Sequence, residues 1–287
     1  MLRQLLASLA VLAALLGVLS LGGHFHPAAD TLALGRPLLA GLCILGLLAC
    51  RTAALRLLTG VIGLGLAVTI AIPFLPQAPG GDIRIYAKNL RYRNDALPAL
   101  AADIRSAGVD VVMLQEVSDE NSEILKLLKA DFPHQTLCRF STWSGVAIAS
   151  RHPFDGDRRC TRGRAAAAAP IRLDGTRIWV VSAHIPWLWP YDSAEREASA
   201  LALVKDLDGP VVVAGDFNAF PWTARVRRMA QESGTHLAGP VRPTFWYRGV
   251  PLPLDFAMAP GGGSVENRAM LGSDHAGIVA DLALSAR

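Results

Sequence analysis

Three apolar runs at the start of the chain constrain its fold more than any other feature of the sequence. Residues 4–29 and residues 57–81 contain no Asp, Glu, Lys or Arg, and a shorter apolar run lies between Arg36 and Arg51. A helix that crosses the ~30 Å hydrocarbon core of a bilayer needs roughly 20 apolar residues. The runs therefore predict a membrane region at the start of the chain.

We predict about three transmembrane helices in this membrane region, which covers residues 1–76. A signal peptide is the alternative for the first run. A buried soluble helical domain is the alternative for all three, but LLASLAVLAALLGVLSLGG has almost no polar face. The middle helix is long enough only if it includes residues 31–35 and Arg36 snorkels to the interface. The predicted helices lie at about 3–23, 32–50 and 56–76.

The arginines predict how these helices are oriented. Arg3 precedes the first run, and Arg51 and Arg56 lie between the second and third, whereas the 22–36 loop has only Arg36, offset by an aspartate. Basic residues at the ends of transmembrane helices favour the cytoplasmic side. With three spans, this bias places everything after residue 81 outside the cytoplasm.

A linker rich in proline and glycine, residues 77–81, leads to a second domain at 82–287. The whole chain has 28 basic and 24 acidic residues; four arginines and one aspartate precede residue 82, which leaves 24 and 23 in this domain. A strong nucleic-acid binder usually carries a clear basic excess. The basic clusters RVRR at 225–228 and RRCTRGR at 158–164 are each predicted to be a solvated face.

Apolar segments in this domain have the pattern of strands separated by turns and helices. Helical spacing or capping is found in ALPALAADIRSAG, in SDENSEILKLLKADF and in SAEREASALALVKDL. Many strands with a few helices between them favour an α/β domain with two sheets packed face to face. The predicted strands are DIRIYAKNL, DVVMLQEV, SGVAIAS, AAAAAPIRL, TRIWVVSAHI, PVVVAGDFN, LDFAMA and GIVADLAL.

Polar residues recur at the ends of these strands. In VVVAGDFNAF, alternation predicts that Asp216 and Asn218 project together while Phe217 turns to the core, and Gly215 lets the backbone pass close to a neighbour. A polar turn is the alternative interpretation of this stretch. The other strand-end residues are Asn89, Glu116, His184, Asp255, Asp274 and His275.

If these strand ends converge, they form one acidic pocket with two histidines. Glu116 and Asp274, with Asn89 nearby, offer the hard oxygen ligands that suit Mg²⁺ or Mn²⁺. His275 can act as a base or proton relay whose ring Asp255 orients. The sequence contains no H-E-x-x-H and no paired-cysteine motif, so a zinc hydrolase is disfavoured.

The four cysteines divide between the two regions. Cys43 and Cys50 belong to the second apolar run and are predicted to be buried in the membrane. Cys138 and Cys160 belong to the second domain, where an oxidising compartment would permit a disulfide. The sequence leaves this pairing open, and their spacing does not match a zinc site.

From about residue 82 to 284, the chain resembles the endonuclease/exonuclease/phosphatase superfamily. The motifs appear in the superfamily's order, and GDFN followed by SDH is the most specific part. The resemblance rests on Asn89, LQE with Glu116, SAH with His184, GDFN with Asp216 and Asn218, LDF with Asp255, and SDH with Asp274 and His275.

The resemblance implies a four-layer α/β/β/α sandwich after the transmembrane helical region. It also implies that Glu116 is the main metal ligand, with Asp274 and Asn89 close by. Asp216 and Asn218 would position the attacking water and the phosphate. His184 would stabilise charge on the phosphate oxygens, and His275 paired with Asp255 would complete the acid–base site.

These expectations together predict a membrane-anchored, Mg²⁺- or Mn²⁺-dependent phosphoesterase. Its expected partners are a phosphate-ester substrate, lipid-linked or envelope-associated, and the membrane, while nucleic acid is not favoured. The expected location is the bacterial inner membrane, multi-pass, with the catalytic domain on the periplasmic side. A metal-dependent endo- or exonuclease is the first alternative, and an inactive membrane-tethered binding module is the alternative of another class.

Overall fold

The computed structural model describes residues 1–163 and 165–285, and its N-terminal part is helical. Two helices are long and apolar enough to cross a membrane, Leu2–Leu19 and Ala53–Phe74, and a bent pair at 66° to each other becomes a third if it counts as one span. The helices are α1 (Leu2–Leu19), α2 (Pro27–Ala33), α3 (Arg36–Ala49) and α4 (Ala53–Ala71), followed by a 3-10 turn (Ile72–Phe74).

The sequence suggested that Arg36 snorkels to the membrane interface, but the structure buries this side chain within the protein. Its side chain is fully buried at the start of α3. Its guanidinium donates to the backbone oxygen of Ser20 at 2.6 Å and to that of Trp222 at 2.8 Å. Its Nε also donates to the Ser20 hydroxyl at 2.9 Å, so the buried charge is satisfied by groups of the protein, one of them from the second domain.

The second domain is a mixed α/β fold. Its helices are α5 (Leu97–Ser106), α6 (Glu123–Leu127), α7 (Ala194–Lys205) and α8 (Ala224–Glu232). The strands in the described residues are β1 (Ile83–Asn89), β2 (Val111–Gln115), β3 (His134–Ser141), β4 (Ser144–Ser150), β5 (Arg159–Cys160), β6 (Ala166–Leu173), β7 (Thr176–His184), β8 (Val211–Asp216), β9 (His236–Leu237), β10 (Phe245–Tyr247), β11 (Val250–Leu252), β12 (Asp255–Ala259), β13 (Gly263–Asn267) and β14 (Ile278–Leu282).

These strands form two six-stranded sheets and a small hairpin. The first sheet has the order β13-β14-β1-β2-β4-β3, and the second has the order β5-β6-β7-β8-β12-β9. The hairpin pairs β10 with β11. The pairs β1–β2 and β7–β8 are parallel, so the carboxyl ends of each pair lie at the same edge of their sheet.

The two sheets pack face to face, and helices cover their outer faces. Ile85 of β1 lies in the core between the sheets, whereas its neighbour Tyr86 packs against α5. In β8, Val212 faces the other sheet and Val213 faces the layer of α7 and α8. Both faces of these strands are buried, which explains their continuous apolar runs and confirms the sandwich architecture.

The predicted helix at 118–132 is much shorter in the structure, where α6 covers only Glu123–Leu127. The side chain of Asn121 accepts from the backbone N–H of Ser118 at 2.8 Å. Its amide donates to the backbone oxygens of Arg91 and Glu116. These side-chain bonds tie Asn121 to residues that lie outside α6, and they hold the first residues of the segment in a loop.

The RVRR cluster is not a solvated face. Residues 224–232 form α8, and Arg225 is only 2% exposed. Of the other basic cluster, Arg164 lies outside the described residues. Cys138 and Cys160 form a disulfide with their Cα atoms 5.7 Å apart, which joins β3, one edge strand of the first sheet, to β5, one edge strand of the second.

Candidate active site

Three polar residues lie in one row across the second sheet. The parallel register pairs His184 of β7 with Asp216 of β8, and the antiparallel register pairs Asp216 with Asp255 of β12. His184 Nε2 is 3.8 Å from Asp216 Oδ2. The row lies at the edge of the sheet where β7 and β8 end and β12 begins. The buried strands therefore place three ionisable side chains next to one another.

The first sheet contributes Asn89 and Glu116. Asn89 is the last residue of β1, and Glu116 directly follows β2 with a φ of 54°. The Asn89 amide donates to Glu116 Oε1 at 3.1 Å and to Asp216 Oδ2 at 3.0 Å. This amide therefore links the two sheets and separates two carboxylates that would otherwise repel each other.

Asp216 and Asn218 come together through a turn and not through an extended strand. Asn218 has a φ of 45°, its backbone N–H donates to Asp216 Oδ1 at 2.9 Å, and its amide donates to Asp216 Oδ2 at 3.1 Å. Phe217 is buried in the core. Gly215 has a φ of 142°, and a Cβ there would lie 2.0 Å from the oxygen of Ala183. Only glycine fits that backbone.

His275 lies between two aspartates. Its Nδ1 is 2.8 Å from Asp255 Oδ2, and its Nε2 is 3.8 Å from Asp216 Oδ2. The backbone N–H of His275 donates to the Ser273 hydroxyl, which in turn donates to the oxygen of Asn89. These bonds fix the ring, so Nδ1 is engaged by Asp255 and Nε2 is left to act on a ligand.

The surrounding charges change the proton affinity of this centre. Burial lowers the pKa of His275, but the charges of Asp255 and Asp216 outweigh it and raise the pKa to about 10. Burial also raises the pKa of Asp216 to about 6. Beneath the site, burial lowers the pKa of Lys88 to about 8, and its ammonium donates to the oxygen of His275 at 2.7 Å.

An open cavity of about 490 Å³ covers these groups. Seven of the eight residues predicted from the sequence line it, and Asp255 lies behind the His275 ring. The wall also includes Trp143 and Arg196, which the sequence did not single out. The predicted residues in the lining are Asn89, Glu116, His184, Asp216, Asn218, Asp274 and His275.

The donors in this cavity suit a hard divalent cation. Glu116 is partly exposed and Asp274 is exposed, and both line the cavity. Carboxylate oxygens with open positions fit Mg²⁺ or Mn²⁺. The side-chain oxygen of Asn89, Oδ1, accepts from the backbone N–H of Arg91 at 2.9 Å. In this orientation the side-chain NH2 faces Glu116 and holds its carboxylate in place.

A second donor set lies deeper in the same site. Single oxygen or nitrogen atoms of Asp216, Asp255 and His275 lie within 4.8 Å of one another. Asp255 Oδ1 is buried without a hydrogen-bond partner in the described part of the chain. Because Asp255 and His275 bond to each other, we interpret this second set as a proton relay that lies beside the carboxylates of Glu116 and Asp274.

A protein-family comparison decides the relationship of the chain. The model of the endonuclease/exonuclease/phosphatase family matches residues 86–275, about two thirds of the sequence. The chain belongs to this family. Its members are hydrolases that act on phosphate esters. A search of curated proteins found no match.

Solved structures of the family share the fold. An endonuclease/exonuclease/phosphatase from Bacteroides vulgatus is 17% identical with a TM-score of 0.58, over 69% of this chain and 97% of that one. Beta toxin from Staphylococcus aureus with bound magnesium ions is 15% identical with a TM-score of 0.54, over 69% and 99%. A 3′ phosphatase from Neisseria bound to a product DNA hairpin is 18% identical with a TM-score of 0.53, over 70% and 99%.

Proposed function

We propose that this family member is a divalent-metal-dependent phosphoesterase that is anchored in a membrane and acts outside the cytoplasm. Its substrate is a lipid-linked or envelope-associated phosphate ester. The observation that carries the activity is the convergence of His184, Asp216 and His275 on one cavity that also holds Glu116. The site offers acids, an amide and imidazoles, which suits attack by water.

The side chains divide the chemical work between them. Asp216, with a pKa raised toward neutrality by burial, accepts a proton from the attacking water, and Asn218 orients the phosphate beside it. His184 donates to the phosphate oxygens as charge develops on them. His275 is protonated near neutral pH and held by Asp255, so its Nε2 supplies a second donor.

Glu116 and Asp274, with Asn89 at their side, would hold Mg²⁺ or Mn²⁺. A bound cation stabilises negative charge on the phosphate and helps to orient the substrate. The magnesium ions of the beta toxin structure support this choice of metal. Unaided phosphate-ester hydrolysis is among the slowest of biological reactions, so charge stabilisation of this kind is needed.

The arrangement of the helices supports an extracytoplasmic catalytic domain. The α1–α3 connection and the end of α4 both contact this domain, whereas Arg3 and Arg56 bond to the oxygens of Ala49 and Cys50 at the opposite end of the bundle. The basic end is expected to face the cytoplasm. The Cys138–Cys160 disulfide also fits an oxidising compartment.

The cavity wall supports a membrane-proximal substrate. Trp187 lines the cavity and is 37% exposed, and Trp189 is 49% exposed. The Thr31 hydroxyl donates to the oxygen of Trp189, so this aromatic segment lies beside the connection between α1 and α3. Tryptophans at such a position suit the interface between lipid and water. The near-neutral charge of 82–287 disfavours tight duplex binding.

A substrate panel with the full-length protein in phospholipid nanodiscs tests this proposal. A phosphodiester lipid, a prenyl phosphate, an inositol phosphate and plasmid DNA are compared at equal concentrations of Mg²⁺ and then of Mn²⁺. We expect hydrolysis of a lipid-linked phosphate to be much faster than plasmid nicking. Efficient nicking without lipid hydrolysis would make the nuclease the better conclusion, and no turnover of any ester would favour a binding module.

A further inference from the structure

The N-terminus of α8 is capped by a residue from the membrane region. The helix has Thr223 at its N-cap position, but that hydroxyl donates to the oxygen of Phe220 and makes no capping bond. Instead, Asp30 Oδ1 accepts from the N–H of Ala224 at 2.6 Å, and Asp30 Oδ2 accepts from the N–H of Arg225 at 3.0 Å. A carboxylate here satisfies free amides and complements the helix dipole.

The approach of this segment is close and specific. Asp30 is 1% exposed, and it lies in the connection between α1 and α3, which covers residues 20–35. A Cβ at Gly23 would lie 2.3 Å from the Asp30 carboxylate and 2.7 Å from the Ala224 side chain. Trp222 donates to the oxygen of Ala33 at 2.7 Å, so the contact continues along the loop before α8.

From the capped end of α8, Arg225 reaches the backbone just beyond His184 and just beyond Asp216. Its Nη1 donates to the oxygen of Pro186 at 2.5 Å and to that of Phe217 at 3.2 Å. Pro186 is two residues beyond His184, and Phe217 lies between Asp216 and Asn218. The same guanidinium is held by Glu197 at 2.9 Å.

Glu197 links Arg225 back to the membrane region through Arg228. It also accepts from Arg228 Nε at 2.9 Å, and Arg228 donates to the oxygen of Gly23 at 2.8 Å and to Asp30 at 3.3 Å. The charges form one continuous network between the connection and the active site. Such a network holds a defined geometry because each buried charge needs its partner.

We propose that Asp30 is a positioning residue of the active site, which fixes α8 and thereby lets Arg225 hold the two backbone segments that carry His184 and the Asp216–Asn218 turn. The inference rests on the proposed phosphoesterase function for its activity readout. The connection between α1 and α3 then supports the geometry of the active site, so the membrane region does more than tether the domain at 82–287.

Full-length protein in detergent micelles tests this role with Asp30→Ala, Asp30→Asn and a control. Gln77→Ala is the control, because Gln77 also joins the membrane region to the second domain, through the oxygen of Leu237. Leu237 pairs with Met258, away from the Asp255 end of β12. The probe substrate is bis(p-nitrophenyl) phosphate with Mg²⁺, which needs no contact with a bilayer.

We expect Asp30→Ala to lower kcat per folded molecule at least tenfold and to accelerate amide hydrogen exchange across 217–226. Asp30→Asn should lower kcat less than Asp30→Ala does, since its amide oxygen can still accept from one of the two backbone N–H groups, although its NH2 cannot accept from the other. Gln77→Ala should change neither quantity. A residue that only stabilised the fold would lower the melting temperature and the folded fraction but leave kcat per folded molecule unchanged, and that result would overturn the proposal.

Arg225→Lys is a second variant that tests the same proposal, and it replaces Asp30→Ala if that variant does not fold. Lysine keeps the charge but lacks the fork that contacts Pro186, Phe217 and Glu197 together. It should reproduce the loss of kcat with Asp30 intact, and wild-type kcat in this variant would contradict the proposal. If the wild-type protein hydrolyses no phosphate ester, the proposed function fails, while hydrogen exchange still tests the positioning role.

Discussion

His275 Nδ1 lies 2.8 Å from Asp255 Oδ2, although the two residues belong to different parts of the sandwich. Asp255 begins β12 of the second sheet, and His275 precedes β14 of the first. The pair therefore joins the two sheets at the cavity. It also sets the charge of the imidazole, because two aspartates face a buried ring that would otherwise be neutral.

The raised pKa of His275 predicts a pH-dependent stability in protein kept free of metal by chelator. A group whose pKa is higher in the folded state stabilises the folded protein most strongly at pH values below its unfolded pKa. For His275 the full contribution is present below pH 6.5 and is lost as the pH rises through about 10. The free energy of unfolding of the wild type relative to His275→Asn should therefore fall by a few kcal/mol between these values. Denaturant unfolding in micelles measures this, and a flat or rising difference would contradict it.

Removal of Glu116 or of the metal should abolish activity. Metal-based charge stabilisation contributes several kcal/mol, and each ~1.4 kcal/mol is a factor of ten in rate. Glu116→Gln should therefore lower kcat by about 10³-fold, and EDTA should stop turnover until Mg²⁺ or Mn²⁺ is restored. The control is Glu120→Gln, since Glu120 is exposed on the nearby loop. Full turnover in EDTA would refute the metal requirement.

The paired tryptophans should matter for a lipid substrate and not for a soluble one. Changing Trp187 and Trp189 together to Ala removes the exposed side chain of Trp187, which lines the cavity, and that of Trp189 two residues later. We expect turnover of a lipid-linked phosphate in nanodiscs to fall at least tenfold, while hydrolysis of bis(p-nitrophenyl) phosphate changes less than threefold. Each substrate is thus the control for the other, and equal losses on both would show that the pair supports the site and not lipid binding.

The orientation of the chain is tested by reporter fusions. Alkaline phosphatase is active only outside the cytoplasm, so it should be active at the C-terminus and inactive after residue 51, between α3 and α4. A fluorescent protein that matures only in the cytoplasm should give the opposite pattern. The reverse result at both positions would place the catalytic domain inside the cell.

Much of the fold and of the site can be predicted from short stretches of the sequence. The charge-free runs indicate the apolar helices, and the segments that became β1, β2, β8 and β14 are apolar because both faces of the sandwich are covered. GDFN and SDH place their polar residues where strands end, so the sequence also indicates the members of the site. These features depend on hydrophobicity and spacing, which a short stretch of sequence contains in full.

Tertiary structure alone decided which charged groups meet. Asp30 and Arg225 are separated by 195 positions, and nothing near either residue shows that one caps the helix of the other. For the same reason RVRR resembles a solvated face, although Arg225 is buried between Glu197 and two carbonyl groups. A charge is stable in the interior only through its partners. Those partners come from distant parts of the chain, so its burial is determined when the whole domain closes.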